Sequence, residues 1–98
     1  MTTRTAEEII ETAKTFPQYV PVNLDCDFGE KYEYTVINVT EWPTNGLLAL
    51  TGKSGYQVNE RIVRMTDDIH AMAWAYNMYC GCKVSCDSAT RTIYAIEV

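Results

Sequence analysis

The chain has 98 residues, 47% of them hydrophobic and 21% charged, with a formal net charge of −5. That balance fits one globular domain over residues 1–98 and excludes a disordered tail, and no apolar run approaches the roughly 18–20 residues that a membrane-spanning helix needs. Residues 1–41 hold eight carboxylates and three bases, whereas the five acids and five bases of residues 42–98 cancel, so the N-terminal part draws a basic partner and repels nucleic-acid phosphates.

Thr5-Ala6-Glu7-Glu8 fits a capping box, with Thr5 as the cap and Glu8 three residues on. Ala6, Ile9, Ile10, Ala13 and Phe16 follow at helical spacing, Glu7, Glu8 and Glu11 fall on the wet face, and Pro17 stops the helix. One base and no apolar segment precede those acids, so no secretory leader is expected, and the expected compartment is the cytoplasm with reduced thiols.

From Pro17 to Gly29 two prolines and two aspartates make an irregular or edge segment, in which Val20, Val22 and Leu24 alternate as a short strand would. Lys31 to Trp42 is dense in β-branched and aromatic residues. Tyr32, Tyr34 and Val36 share one face and Ile37 and Val39 the other, so a bulge near Val36-Ile37 is expected. Pro43-Thr44-Asn45-Gly46 is a turn, Leu47 to Thr51 a return strand, and Gly52-Lys53-Ser54-Gly55 the next turn. Tyr56, Val58, Glu60, Ile62 and Arg64 then alternate with Gln57, Asn59, Arg61 and Val63 in a third strand, which closes a meander.

Thr66-Asp67-Asp68 opens a second helix as a cap followed by two acids at the positive end of the dipole. Ile69, Met72, Ala73, Tyr76, Tyr79 and Cys80 are its expected buried stripe, and Gly81 its terminator. Val84 to Cys86 and Thr92 to Val98 form a closing hairpin around Asp87-Ser88-Ala89-Thr90. The expected order is α-β-β-β-α-β-β, an α+β fold whose antiparallel sheet carries both helices on one face.

No residue pattern carries a reaction, and an enzyme is not expected. His70 is the lone histidine and reads as a rim residue without a nucleophile placed for it, and Cys82 has only Lys83 as a neighbouring base. Gly52-Lys53-Ser54-Gly55 lacks the earlier glycine of a phosphate loop, since Leu47 stands there. Asp25-Cys26-Asp27-Phe28-Gly29-Glu30 lacks the later ligands of a calcium loop, with Gly29 and Val36 at positions five and twelve. Thr66-Asp67-Asp68 is acidic where a double-stranded-RNA module needs bases, so no direct nucleic-acid contact is expected.

Cys80, Cys82 and Cys86 crowd together, with Cys26 further off. In an extended strand Cys82 and Cys86 stand roughly 13 Å apart, whereas sulfurs on one zinc lie within about 4 Å of each other. Small buried thiols are the expectation, with no metal and no cofactor; a disulfide or a metal site stays open. The second helix carries Trp74, Tyr76, Met78 and Tyr79, more than one stripe buries. Trp74 and Met78 are therefore expected to face outward as apolar contact residues, beside an acidic set of Glu7, Glu8, Glu11, Asp25, Asp27, Glu30 and Glu33.

Small, acidic, aromatic-rich and motif-free, the chain resembles in overall kind the anti-CRISPR proteins and other host-takeover proteins of phages. The resemblance covers the whole chain but rests on size, acidity and the lack of a catalytic signature, so no functional residue is carried over. It implies an inhibitor in the host cytoplasm, monomer or homodimer, that binds a basic host protein or ribonucleoprotein complex and blocks a nucleic-acid-binding surface. Two alternatives belong to other classes: a homo-oligomeric structural or adaptor protein, and a small metal- or redox-active cysteine protein.

Overall fold

Thr5 starts the first helix as its position demands: the hydroxyl accepts from the Glu8 amide at 3.2 Å, and α1 runs Ala6–Lys14. Its inward side is Ile9 and Ala13, with Ala6, Ile10 and Phe16 packed beside them. The structure, a computed structural model, describes residues 5–24, 29–42 and 55–97. The expected strand at Leu47 to Thr51 and the turns on either side of it, up to Ser54, lie outside the described residues.

Two long strands follow. β1 (Tyr32–Trp42) and β2 (Gly55–Met65) pair antiparallel without interruption, from Tyr32 opposite Met65 to Trp42 opposite Gly55. The expected bulge at Val36-Ile37 is therefore absent. Val36 and Ile37 are both buried because β1 is covered on both faces, so apolar residues of either parity are needed. After β2 come α2 (Asp68–Met78), β3 (Cys82–Asp87) and β4 (Thr92–Glu97). The order among the described residues is α-β-β-α-β-β, an α+β fold.

The four strands lie in the order β2-β1-β4-β3. β1 and β4 run parallel at the centre, and the two outer pairs are antiparallel. This corrects the expected all-antiparallel sheet. A meander would leave β4 beside β3 alone, but β4, while still paired with β3 along its whole length, also enters the centre beside β1. Its sequence suits that place: Thr92, Ile93, Tyr94 and Ala95 are all buried, as in a strand covered on both sides.

The second correction concerns the helices, which cover opposite faces. Tyr34, Val36, Val84, Ile93 and Ala95 form one cluster with Ala71 and Ala75 of α2. Ile37, Val39 and Tyr94 form another with Ile9 and Ala13 of α1. Side chains alternate along a strand, so these two sets point to opposite sides of the sheet. Each fully buried valine or isoleucine among them contributes about 1.5–3 kcal/mol.

Pro17 to Leu24 is the irregular segment expected there, and Val20 and Val22, whose alternation could have marked a short strand, are exposed. The segment passes the outer edge of β3. Gln18 bridges to Ser85, and the Tyr19 amide donates to the Val84 carbonyl at 2.7 Å. The chain thereby leaves the α1 face, where Phe16 stacks on Tyr94, and reaches the α2 face, where Tyr19 packs on Tyr76.

Helix α2 departs from its expected stripe. Ala71 and Ala75 are fully buried, whereas Ile69, Tyr76, Met78 and Cys80 are exposed. Two alanines one turn apart let the helix axis approach the sheet, and the larger residues are pushed to its flanks. Trp74 is one of these: half-buried against the α2-face core, edge-on to Tyr79, with the Arg61 guanidinium 5.2 Å from its ring centroid. It does not face outward as expected. Asp67, not Thr66, is the N-cap, accepting from the His70 amide at 2.9 Å. Thr66 is buried and donates its hydroxyl proton to the Gly29 carbonyl. Gly81, at φ 85°, ends the helix region as its sequence indicates.

Candidate functional site

Three groupings of polar or reactive side chains stand out. The first is the face of the sheet that carries α1. The outer side of α1 presents Glu7, Glu8 and Glu11, all exposed. Strand parity adds Glu33 and Glu41 from β1 and Glu60 from β2 to the same face, against Lys14, Arg64 and Lys83. Glu11 pairs with Lys14 at 3.4 Å, but both ends are well exposed and the pair contributes little.

Helix α1 has only two buried residues and leaves the β2 side of this face open. There Tyr56, Val58 and Ile62 alternate along β2 and are exposed, Ile62 by 62%. Where the end of α1 meets the sheet lies a cleft of about 450 Å³, lined among others by Ile10, Phe16, Tyr56 and Ile96 with Lys14, Lys83 and Glu41 at its polar parts. The exposed apolar row and the carboxylates beside it therefore share this side of the sheet.

The second grouping sits where β1, the β3–β4 turn and the start of α2 converge. The Asp68 carboxylate accepts from the Tyr34 hydroxyl and from the Ser88 hydroxyl, each at 2.5 Å. Both of its oxygens are thus engaged, and the three elements are tied at one point. Burial, with Asp68 beside it, holds the Tyr34 phenol above its ordinary range. Asp67 accepts from the His70 amide and also meets the ring Nδ1 of His70 at 2.7 Å. The amide contact, above all, holds Asp67 below the usual carboxylate range. Arg91, in the left-handed region at φ 51°, lays its guanidinium 4.1 Å from the Tyr32 ring centroid. Asp67 thus orients His70, a contact the sequence analysis did not foresee, while the Ser88 proton is directed to Asp68. The arrangement fastens the turn to the helix.

The third is the thiols. Cys82 and Cys86 lie on the α2 side of β3 against the core, and Cys80 is exposed just before it. Burial pushes the Cys86 thiol up to about 11, helped by the negative charge of Asp68, and burial also raises Cys82. The Asn38 amide, itself buried, donates to Cys82 Sγ at 3.7 Å and to the Ala95 carbonyl at 3.1 Å. Among the described residues no group of three or more His, Cys, Asp or Glu is placed to hold a metal ion. Cys26 lies outside the described residues.

Of the expected contact residues, Glu7, Glu8, Glu11 and Glu33 lie exposed on the α1 side of the sheet, and Glu30 is exposed just ahead of β1. Asp25 and Asp27 lie outside the described residues. Trp74 and Met78 belong to α2, on the opposite side of the sheet, so the fold separates them from the α1 acids. The apolar row that does adjoin those acids is Tyr56, Val58 and Ile62, with Glu41 and Glu60 beside it. A signal for it was present: β2 carries charge in both of its alternating rows, Glu60 and Arg64 in one and Arg61 in the other, as a strand does when neither row is fully covered.

No helix among the described residues is long and apolar enough to cross a membrane. Compared with known proteins, the chain matches no family model, no curated protein and no solved structure. What fold and surface define together is an α+β domain with a helix and a core on each face of a mixed sheet, the α1 face also carrying an exposed apolar row on β2 bordered by carboxylates.

Proposed function

We propose that the protein acts by binding, and that its partner is a basic, nucleic-acid-handling protein or ribonucleoprotein whose phosphate-binding surface is occupied by the acids of the α1 face. The observation that supports this most is the shared placement of Glu7, Glu8, Glu11, Glu33 and Glu60 with exposed Tyr56, Val58 and Ile62 on one face. The carboxylates steer a basic partner and set its orientation, and the apolar row supplies the desolvated contact. In the setting that the resemblance to phage inhibitors implies, the partner is a host nuclease complex such as a CRISPR effector, blocked by direct contact.

The test uses two baits, the native chain and a variant carrying Glu7→Gln, Glu8→Gln, Glu11→Gln and Glu33→Gln, against nuclease-treated host lysate. A basic nucleic-acid-binding protein should be retained by the native bait, lost from the variant, and displaced by added DNA or RNA. Retention by the variant, or indifference to the added nucleic acid, would remove the support.

A further inference from the structure

The outer edge of β2 has no strand beside it among the described residues, because β2 is the first strand in the order β2-β1-β4-β3. This edge is 11 residues long and exposed over most of its length. A free edge of that kind offers its amides and carbonyls to another strand. Opposed residues of an antiparallel pair share a face. A second copy of β2 would therefore bring its Tyr56, Val58, Glu60, Ile62, Arg64 row against the same row of the first.

The possible registers of such self-pairing differ in the charges they oppose. A two-fold axis at Glu60 would set Glu60 against its own copy. An axis at Arg61 would set two arginines together and place Glu60 against Ile62. An axis at Ile62 does neither. It opposes Ile62 to Ile62 and Glu60 to Arg64 of the second copy, and symmetry makes that ion pair twice. On the other face it sets Arg61 against Val63 and Asn59 against Met65, with no like charges opposed. Among the described residues neither Glu60 nor Arg64 forms an ion pair within its own chain. Ile62, the residue at the axis, is 62% exposed.

We propose that the protein self-associates through this edge, two copies pairing antiparallel about Ile62 so that their four-stranded sheets become one continuous sheet. The occupant of the edge is a second copy of the chain, selected by the Glu60-x-Ile62-x-Arg64 row, whose opposite charges meet in the one register that sets Glu60 against Arg64. The two α1 faces then lie on the same side of the joined sheet. The pairing shares Glu60 and Ile62 with the surface proposed for the basic partner but leaves out Glu7, Glu8, Glu11 and Glu33, so the two are tested by different substitutions.

Charge reversal tests it. In sedimentation equilibrium over a concentration series, the native chain of 11.1 kDa should approach twice that mass. Glu60→Arg and Arg64→Glu should each weaken association about tenfold or more, since each turns both ion pairs into repulsions. The double variant Glu60→Arg/Arg64→Glu should restore the dimer. The two single variants, mixed, should pair with each other, because one then carries arginine at both positions and the other glutamate. Circular dichroism of each variant checks that these exposed substitutions leave the fold intact. A native chain that stays at 11.1 kDa throughout would overturn the proposal. A dimer indifferent to the single reversals, or one that neither the double variant nor the mixture rescues, would overturn it as well.

Discussion

The two faces of the sheet are covered by helices of similar length, 9 residues in α1 and 11 in α2, yet they differ in closure. Helix α2 meets the sheet through two alanines that are fully buried, draws Met72, Trp74 and Tyr79 in around them, and is fastened at its start by Asp68 to Tyr34 and Ser88. Helix α1 buries Ile9 and Ala13 and leaves the row on β2 in water. The first arrangement uses its side chains to hold the fold. The second leaves side chains over for another molecule. Substitutions in either core should therefore cost stability, whereas those on the exposed β2 row of the α1 face should cost association.

The sharpest contrast is between Ile93 and Ile62. Ile93 is fully buried on the α2 face, so Ile93→Ala should destabilise the protein by about 2–5 kcal/mol in urea denaturation. Ile62→Ala, on the open row, should change stability by less than about 0.5 kcal/mol. Equal costs would end the contrast. Next in size is Asp68→Ala, which strips two hydroxyls of their acceptor and leaves the Tyr34 oxygen under the helix. A loss of about 1–3 kcal/mol is expected, while Tyr34→Phe combined with Asp68→Ala should lose less than the sum of the two single changes.

Asp67→Ala should cost about 1 kcal/mol as the loss of an N-cap. Asp67 ionises more readily in the folded protein than in the unfolded chain. Its charge-dependent contribution is therefore complete above the ordinary carboxylate value near pH 4 and is lost as pH falls below it. Stability measured from pH 6 down to pH 2 should fall less steeply in Asp67→Asn than in the native chain. Smallest in energy is the ranking of thiols. Exposed Cys80 should be alkylated well before Cys82 and Cys86 at pH 8, read by peptide mass mapping, because burial keeps the latter two protonated. Cys86 holds its proton to about 11, above the unfolded thiol. Its share of stability is therefore present below about pH 8.5 and is lost as pH rises toward 11.

Much of the local structure was legible from residue type and spacing. Thr5 with Glu8 located the start of α1, Gly81 the end of α2, and the density of β-branched and aromatic residues located β1. What spacing alone did not yield is which strands lie at the centre. The Val36-Ile37 junction resembles a bulge when one face is assumed wet, and resembles a buried strand once both faces are covered. β4 forms the expected hairpin with β3, but Ile93, Tyr94 and Ala95 in succession also carry the signal of a strand covered on both faces, which places it beside β1. Helix α2 misled for a related reason. Its alternating small and large residues, Ala71, Met72, Ala73, Trp74 and Ala75, leave the inward side undetermined until the close approach to the sheet selects the alanines. For the candidate site, the acids of α1 were legible as a wet helical face. The apolar row was not, because assigning it needs the knowledge that β2 is an edge and that α1 stops short of it.

The bridge at Gln18 and Ser85, with the Tyr19 amide on the Val84 carbonyl, has a bearing on how far self-association could proceed. A sheet with two open margins can add copies without end, which is the geometry of a fibre. Here the margin of β3 is clasped at mid-strand by the chain's own crossing segment. Growth is left to one side, and a two-fold pairing there consumes that side in both molecules. The assembly terminates at two, and the short crossing after Pro17 acts as a stopper against polymerisation.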